Sequence, residues 1–213
     1  MPIITIDGNI GSCKTSILNY FHKHYKIAVD LEPVENWVPY LNKMYQNNKE
    51  SSYNFQVRVW IDRCWIQEKS ENTLIFMERS PFFIKNVFIR KALEDGSITD
   101  EEYQILQNLH AKTDKLWKPN AYIYLKSDPV LCMHRIQKRG RICEKSISQE
   151  YIDRINELHD EKIAELLKYN MNVIVIDIEN KSISEICNEI IQNPIFCNIV
   201  ATTENRHSLL QNE

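Results

Sequence analysis

The sequence predicts an α/β fold, a five-stranded parallel sheet flanked by helices, forming one domain over residues 1–193 with a fraying tail over 194–213. Three observations carry this. Short apolar runs alternate along the chain with longer segments of helical periodicity, the pattern of strands joined by crossover helices. At 213 residues the chain has the length of one well-buried domain. The first apolar run passes through a glycine turn straight into a helical segment, the opening of a βαβ unit.

The elements follow in order. Ile3–Ile6 is the first strand, and helical periodicity begins at Lys14. Later strands are predicted at Ile27–Leu31, Thr73–Met77, Ala121–Leu125 and Asn172–Asp177, all short and apolar. Helices are predicted at Tyr53–Lys69, Phe82–Leu93, Asp100–Leu116, Pro129–Lys138, Glu150–Tyr169 and Ile183–Ile191. Thr99, with Glu102 three residues on, forms a capping box for the third of these. From Pro194 onward the periodicity fades.

Composition excludes several classes. Hydrophobic residues at 43% and charged residues at 26% argue against a disordered or fibrous chain. A net charge of -3 gives no basic footprint for nucleic acid. No apolar run approaches the roughly eighteen residues of a membrane span, and the N-terminus carries neither signal nor transit pattern. Six scattered cysteines, without a C-x-x-C pair, argue against a zinc site or disulfide scaffold. Together these point to a reducing, cytoplasmic setting.

Only four glycines are present, where average usage would give about fifteen, so each calls for a reason. Gly8-Asn9-Ile10-Gly11-Ser12-Cys13-Lys14-Thr15 matches the phosphate-binding loop G-x-x-x-x-G-K-S/T except that Cys13 replaces the last glycine. Backbone N–H groups of such a loop, with the positive end of the following helix, bind phosphate oxygens. Lys14 would reach the β- and γ-phosphates and Thr15 would take one position on Mg2+. A plain strand-to-helix turn is the alternative, but a lysine at a helix start opposes the macrodipole unless an anion is there.

Ligands of open α/β sheets bind beyond the carboxyl ends of the strands, where three polar clusters stand. Glu32-Pro33-Val34-Glu35-Asn36-Trp37 follows the second strand, and Glu78-Arg79-Ser80 the third. The helix after the fourth carries Arg135, Arg139 and Arg141, the last two flanking Gly140, with Glu144 beyond. Three arginines near one helix end repel one another unless a polyanion sits among them; otherwise they are a solvated face.

In their order and spacing these segments, with Phe55-Gln56, Tyr151 and Leu158-His159, resemble the deoxynucleoside kinases of the deoxycytidine, deoxyguanosine and mitochondrial thymidine kinase type, P-loop NTPases with an arginine lid. The resemblance runs from Pro2 to about Asp177. It implies ATP-dependent phosphorylation, with Mg2+, of the 5′-hydroxyl of a deoxyribonucleoside in nucleotide salvage. By it, Glu32 is the general base, Arg79 orients the hydroxyl and stabilises charge, Glu78 holds the metal, and Arg135, Arg139 and Arg141 close over the ATP phosphates. Trp37, Phe55 and Phe88 resemble the aromatic residues that wall the base, and Gln56 the amide that bonds its edge. Tyr45 and Glu144 resemble the pair that holds the sugar 3′-hydroxyl.

Two departures stand out. Cys13 puts a Cβ where the family has glycine. Arg63 matches an arginine of the deoxycytidine and deoxyguanosine kinases, but Ile84 occupies the place of its aspartate partner. Arg63 then either swings away to solvent, leaving Gln56 to read the base, or finds another acid such as Asp62 or Glu78 and stays in the pocket. The first of these favours a broad or pyrimidine-preferring enzyme. Two other readings share the loop: a nucleoside monophosphate kinase, and a nucleotide-binding protein weakened by Cys13. The family implies a homodimer built helix on helix, and Trp60 and Trp65 in the segment Tyr53–Lys69 belong either to that interface or to the internal core.

Overall fold

In a computed structural model the protein is described over residues 2–45, 49–64 and 74–201. Five parallel strands, β1 (Ile3–Gly8), β2 (Ala28–Asp30), β3 (Ile75–Glu78), β4 (Ala121–Lys126) and β5 (Val173–Asp177), form one sheet in the order β2-β3-β1-β4-β5. All six residues of the central β1 are buried, as a strand covered on both faces requires. The chain leaves β1 for β2 and β3 on one side, then crosses to β4 on the other. The end of β1 is therefore the switch point where a crevice opens.

Side chains alternate between the faces of the sheet. Ala121, Ile123 and Leu125 of β4 join Ile4 and Ile6 in a core closed by α1 (Lys14–Tyr25) and α9 (Ile183–Gln192). Tyr122 and Tyr124 point the other way, into a cluster with Phe83 and with Ile155 and Leu158 of α8 (Gln149–Lys168). Beyond the sheet, α2 (Val34–Tyr45) and α3 (Lys49–Cys64) build a second apolar cluster with α6 (Asp100–Trp117). The capping box at Thr99 and Glu102 is present, and α7 runs over Pro129–Arg139.

Three segments differ from the expectation. Helix α2 occupies a segment for which no helix was expected; Pro33 precedes it, and Pro39 sits inside the helix. The segment 81–94 is not one regular helix: α4 (Pro81–Phe83) leads into a π-helical stretch at Ile84–Ile89 and then α5 (Arg90–Glu94). The expected tail is ordered over its first part as α10 (Pro194–Ala201). There Asn193 accepts from the Ile195 N–H, and Phe196 and Val200, one turn apart, enter the main core, Phe196 edge-on to Phe76. A helix of two turns is too short to show a period in the sequence. Trp65 lies outside the described residues, whereas Trp60 makes the internal contact, donating from Nε1 to Thr113 of α6 at 3.3 Å.

Candidate active site

The phosphate-type loop joins β1 to α1 and is shaped by tight contacts. A Cβ on Gly11, at φ +83°, would lie 2.6 Å from the Cys132 carbonyl oxygen of α7, and one on Gly8 would lie 2.8 Å from that of Leu125. Cys13 takes the left-handed conformation, φ 66°, that glycine takes without cost. Its side chain is partly buried against the core around Ile4 and Ile17, so the loop accommodates the thiol. Helix α1 has no side-chain cap and no acid in its first turn, which leaves its N–H groups and dipole for an anion. The Lys14 ammonium is folded back on the loop, donating to the carbonyls of Asn9 at 2.7 Å and Gly8 at 3.2 Å. Burial, with the Arg79 charge nearby, lowers its pKa to about 8.

Beside the loop stand two carboxylates from neighbouring strand ends. Glu32, just past β2, accepts from Arg79 Nε at 2.5 Å. Glu78, the last residue of β3, accepts from the Thr15 hydroxyl at 2.6 Å and from the Glu32 backbone N–H at 3.2 Å. Their environments push them apart. Burial works against ionisation of Glu32, but the charges of Arg79, Lys14 and Arg63 overcome it and hold its carboxyl below the usual range. Glu78 is pushed up, by burial and by the Glu32 charge.

Arg79 adopts φ 60°, a strained conformation for a bulky residue. It is pinned on both sides: its own N–H donates to Ile6, and the next residue, Ser80, donates from N–H and hydroxyl to the buried Asp7 carboxylate at 2.7 and 3.0 Å. The guanidinium is thereby aimed at Glu32 and lies over the Phe88 ring, 4.2 Å from its centroid.

From this polar end a cavity of about 360 Å³ extends between α2, α3 and the π-helical stretch. Trp37, Phe55, Gln56, Ile84 and Phe88 all line it. Trp37 meets Phe55 edge-on at 6.0 Å and is fixed by donating to Asp62 at 2.8 Å. The extra residue in each π turn shifts Ile84 and Phe88 relative to a regular helix, a device common at ligand sites. A smaller space of about 210 Å³ adjoins at Met44, Gln56, Phe88 and Tyr151.

The third wall is cationic. Arg135 donates to Gly11 O at 3.4 Å and to the Ser127 hydroxyl at 3.1 Å, tying α7 to the loop. Arg139 forms a forked pair with Glu144, at 2.7 to 3.0 Å, and Arg141 reaches the same carboxylate at 3.3 Å.

The structure thus brings together on one cavity the loop residues Ile10 to Thr15, Glu32, Glu78, Arg79, the aromatic trio, Gln56, Ile84, the three arginines and Glu144. Gly8 and Asn9 turn their carbonyls to Lys14 behind it. Tyr45 ends α2, but its side chain lies outside the described residues. Arg63 is the correction. It neither lines the cavity nor escapes to solvent, but is 1% exposed and paired with Asp30, an acid the sequence reading passed over. Ser16, Val34, Leu41, Met44, Val59 and Tyr151 complete the lining; of these Val34, Leu41 and Met44 were missed because α2 was not recognised. Its i, i+3, i+7, i+10 spacing, Val34, Trp37, Leu41, Met44, is the signal that marks its cavity-facing stripe.

The chain is also similar to known proteins. A family model described as deoxynucleoside kinase matches residues 4–198. The chain is 31% identical over 193 residues to "Putative kinase protein 029R" of Invertebrate iridescent virus 3, covering 89% of this chain and 94% of that protein. It is 30% identical over 185 residues to the deoxyguanosine kinase of Bacillus subtilis, covering 85% and 87%. A solved structure of deoxyadenosine kinase from M. mycoides shares the fold, with TM-score 0.77 at 22% identity over 94% of this chain and 98% of that one.

Proposed function

The chain belongs to the deoxynucleoside kinase family, whose members are phosphotransferases, and from that premise we propose that it transfers the γ-phosphoryl group of ATP to the 5′-hydroxyl of a deoxyribonucleoside. The observation that carries this reading is Glu32, held ionised by Arg79 on one cavity with an empty-handed helix N-terminus on one side and an aromatic slot on the other. A carboxylate so placed accepts the proton of a primary hydroxyl as the oxygen attacks phosphorus. The new O–P bond forms as the bond from the γ-phosphorus to the β-bridging oxygen breaks, and ADP leaves. Arg79 orients the hydroxyl and faces the charge that develops.

The donor set fits Mg2+: Thr15 Oγ1 and Glu78 Oε1 are adjacent hard oxygens, and the Glu78 carboxylate is buried beside the loop. When bound, Mg2+ supplies charge neutralisation at the β- and γ-phosphates. Lys14 and the α1 N–H groups hold the same phosphates. The base lies between Trp37, Phe55 and Phe88, with Gln56 presenting a donor and an acceptor to its edge. Glu144, with Tyr45, takes the sugar 3′-hydroxyl.

A coupled assay of ADP release tests the reading, with ATP and Mg2+ and each of the four deoxynucleosides beside the four monophosphates. Nucleosides are expected to be consumed and monophosphates not, because a phosphate on the acceptor would face the Glu32 carboxylate. Turnover of monophosphates alone overturns the proposal. Within it, Arg139→Ala or Arg141→Ala is expected to lower kcat/KM for ATP by roughly 10- to 1,000-fold, in the manner of other transition-state charge clamps, with nucleoside affinity changed less. Equal losses on the nucleoside side remove the arginines from the phosphates.

A further inference from the structure

Parallel strands β2 and β3 are joined by a short ladder, Ala28↔Ile75, Val29↔Phe76 and Asp30↔Met77, which stops just before the two carboxylates. Beyond it, β2 is an edge with three residues of strand and no further rung. At that point the Arg63 guanidinium is inserted from α3. Nη2 donates to Glu78 O at 2.9 Å and to Asp30 O at 3.2 Å, and Nη1 donates to Leu31 O at 3.2 Å. Nη2 also lies 3.1 Å from the Asp30 carboxylate. One planar fork thus satisfies carbonyls of both strands where the backbone has stopped pairing them.

We propose that Arg63 is a positioning residue of the phosphotransfer reaction, acting as the missing rung that locks Glu32 and Glu78 at a fixed separation. This rests on the functional reading above, since it assigns Arg63 to the same pair of carboxylates. The direct hydrogen bond between the two residues runs from the Glu32 backbone N–H to the flexible side chain of Glu78, so it cannot set the spacing of the strands. Ile84, standing where an acid would draw the guanidinium into the cavity, offers it no partner there; Asp30 does so under the sheet edge.

The test uses Arg63→Met and Arg63→Lys in the full chain. For Arg63→Met, kcat is expected to fall by about 10- to 100-fold, the scale of a slight misplacement of catalytic groups, while KM for the nucleoside stays within about threefold. Arg63→Lys keeps the charge but donates from a single point; it should likewise leave kcat depressed, with KM for the nucleoside within about threefold. A folded Arg63→Met enzyme with kcat within threefold of wild type overturns the proposal. So does a loss confined to nucleoside KM with an altered ranking of bases, which would place Arg63 at the base. If the methionine variant does not fold, the lysine variant decides on the same kcat criterion. Failure of the wild type with every nucleoside sinks the functional reading, and amide hydrogen exchange then judges the brace alone. Faster exchange at Glu32 and Arg79 in the variant supports it, and unchanged exchange overturns it.

Discussion

Glu32→Gln is expected to fold as the wild type does and to bind nucleoside, but to lose about 10²- to 10⁴-fold in kcat, the usual contribution of a positioned general base. The amide keeps the size and an acceptor for Arg79, so the 2.5 Å contact weakens without leaving a void. What disappears is the ability to take a proton. Removing the negative charge also relieves Glu78, whose pKa is held up partly by Glu32; Glu78 in the variant should ionise at lower pH, and Mg2+ affinity should hold or improve. Chemistry and metal binding would then move in opposite directions, which a collapsed site cannot do. Single-turnover kinetics with an Mg2+ titration read both, and a kcat loss under threefold removes Glu32 from the chemistry.

Gly11→Ala is expected to have the largest effect on stability. The new methyl would meet the Cys132 carbonyl oxygen at 2.6 Å, and the residue would hold φ +83°. That oxygen does not yield cheaply, because it belongs to a helix backbone. Left-handed backbone costs about 1–2 kcal/mol and overpacking about 1–3 kcal/mol, so a loss of roughly 2–5 kcal/mol is expected, near 5–15 °C in Tm for a chain of this size. Gly96→Ala is the control: it too has a positive φ, +62°, but nothing lies within 4 Å of its added carbon. Thermal denaturation of the pair separates collision from conformation. Equal Tm values would show that α7 gives way. If it does, the proposed phosphate site should suffer instead, because Arg135 and Arg139 ride on the displaced helix.

The legible parts of this molecule are those whose physics is local. Buried parallel strands show as apolar runs, and the phosphate-type loop shows as glycines at fixed spacing between a strand and a helix. Alternation of strands and helices then fixes the sheet, and with it the edge where ligands bind. Helix α2 was hidden because Pro33 and Pro39 dominate local propensity, while the tertiary burial of Trp37 and Leu41 decides the outcome. The left-handed Arg79 was hidden because its conformation is enforced by Asp7, seventy-two residues away in the chain, through Ser80. Arg63 was misplaced for a related reason. Its fate depends on which acid it meets across a strand end, and the separation of thirty-three residues from Asp30 carries no periodic signal.

The ion pairs of Arg139 and Arg141 with Glu144 have a consequence for how the cationic wall receives a ligand. Since one carboxylate already occupies both guanidinium groups, an incoming anion does not fill bare charges; it displaces an internal competitor. Occupation of this wall is an exchange of anions, and its free energy is the difference between two ion pairs rather than the strength of one. Weak monoanions therefore gain little by entering, while a polyphosphate, able to engage several donors at once, wins the exchange and releases the carboxylate for other use.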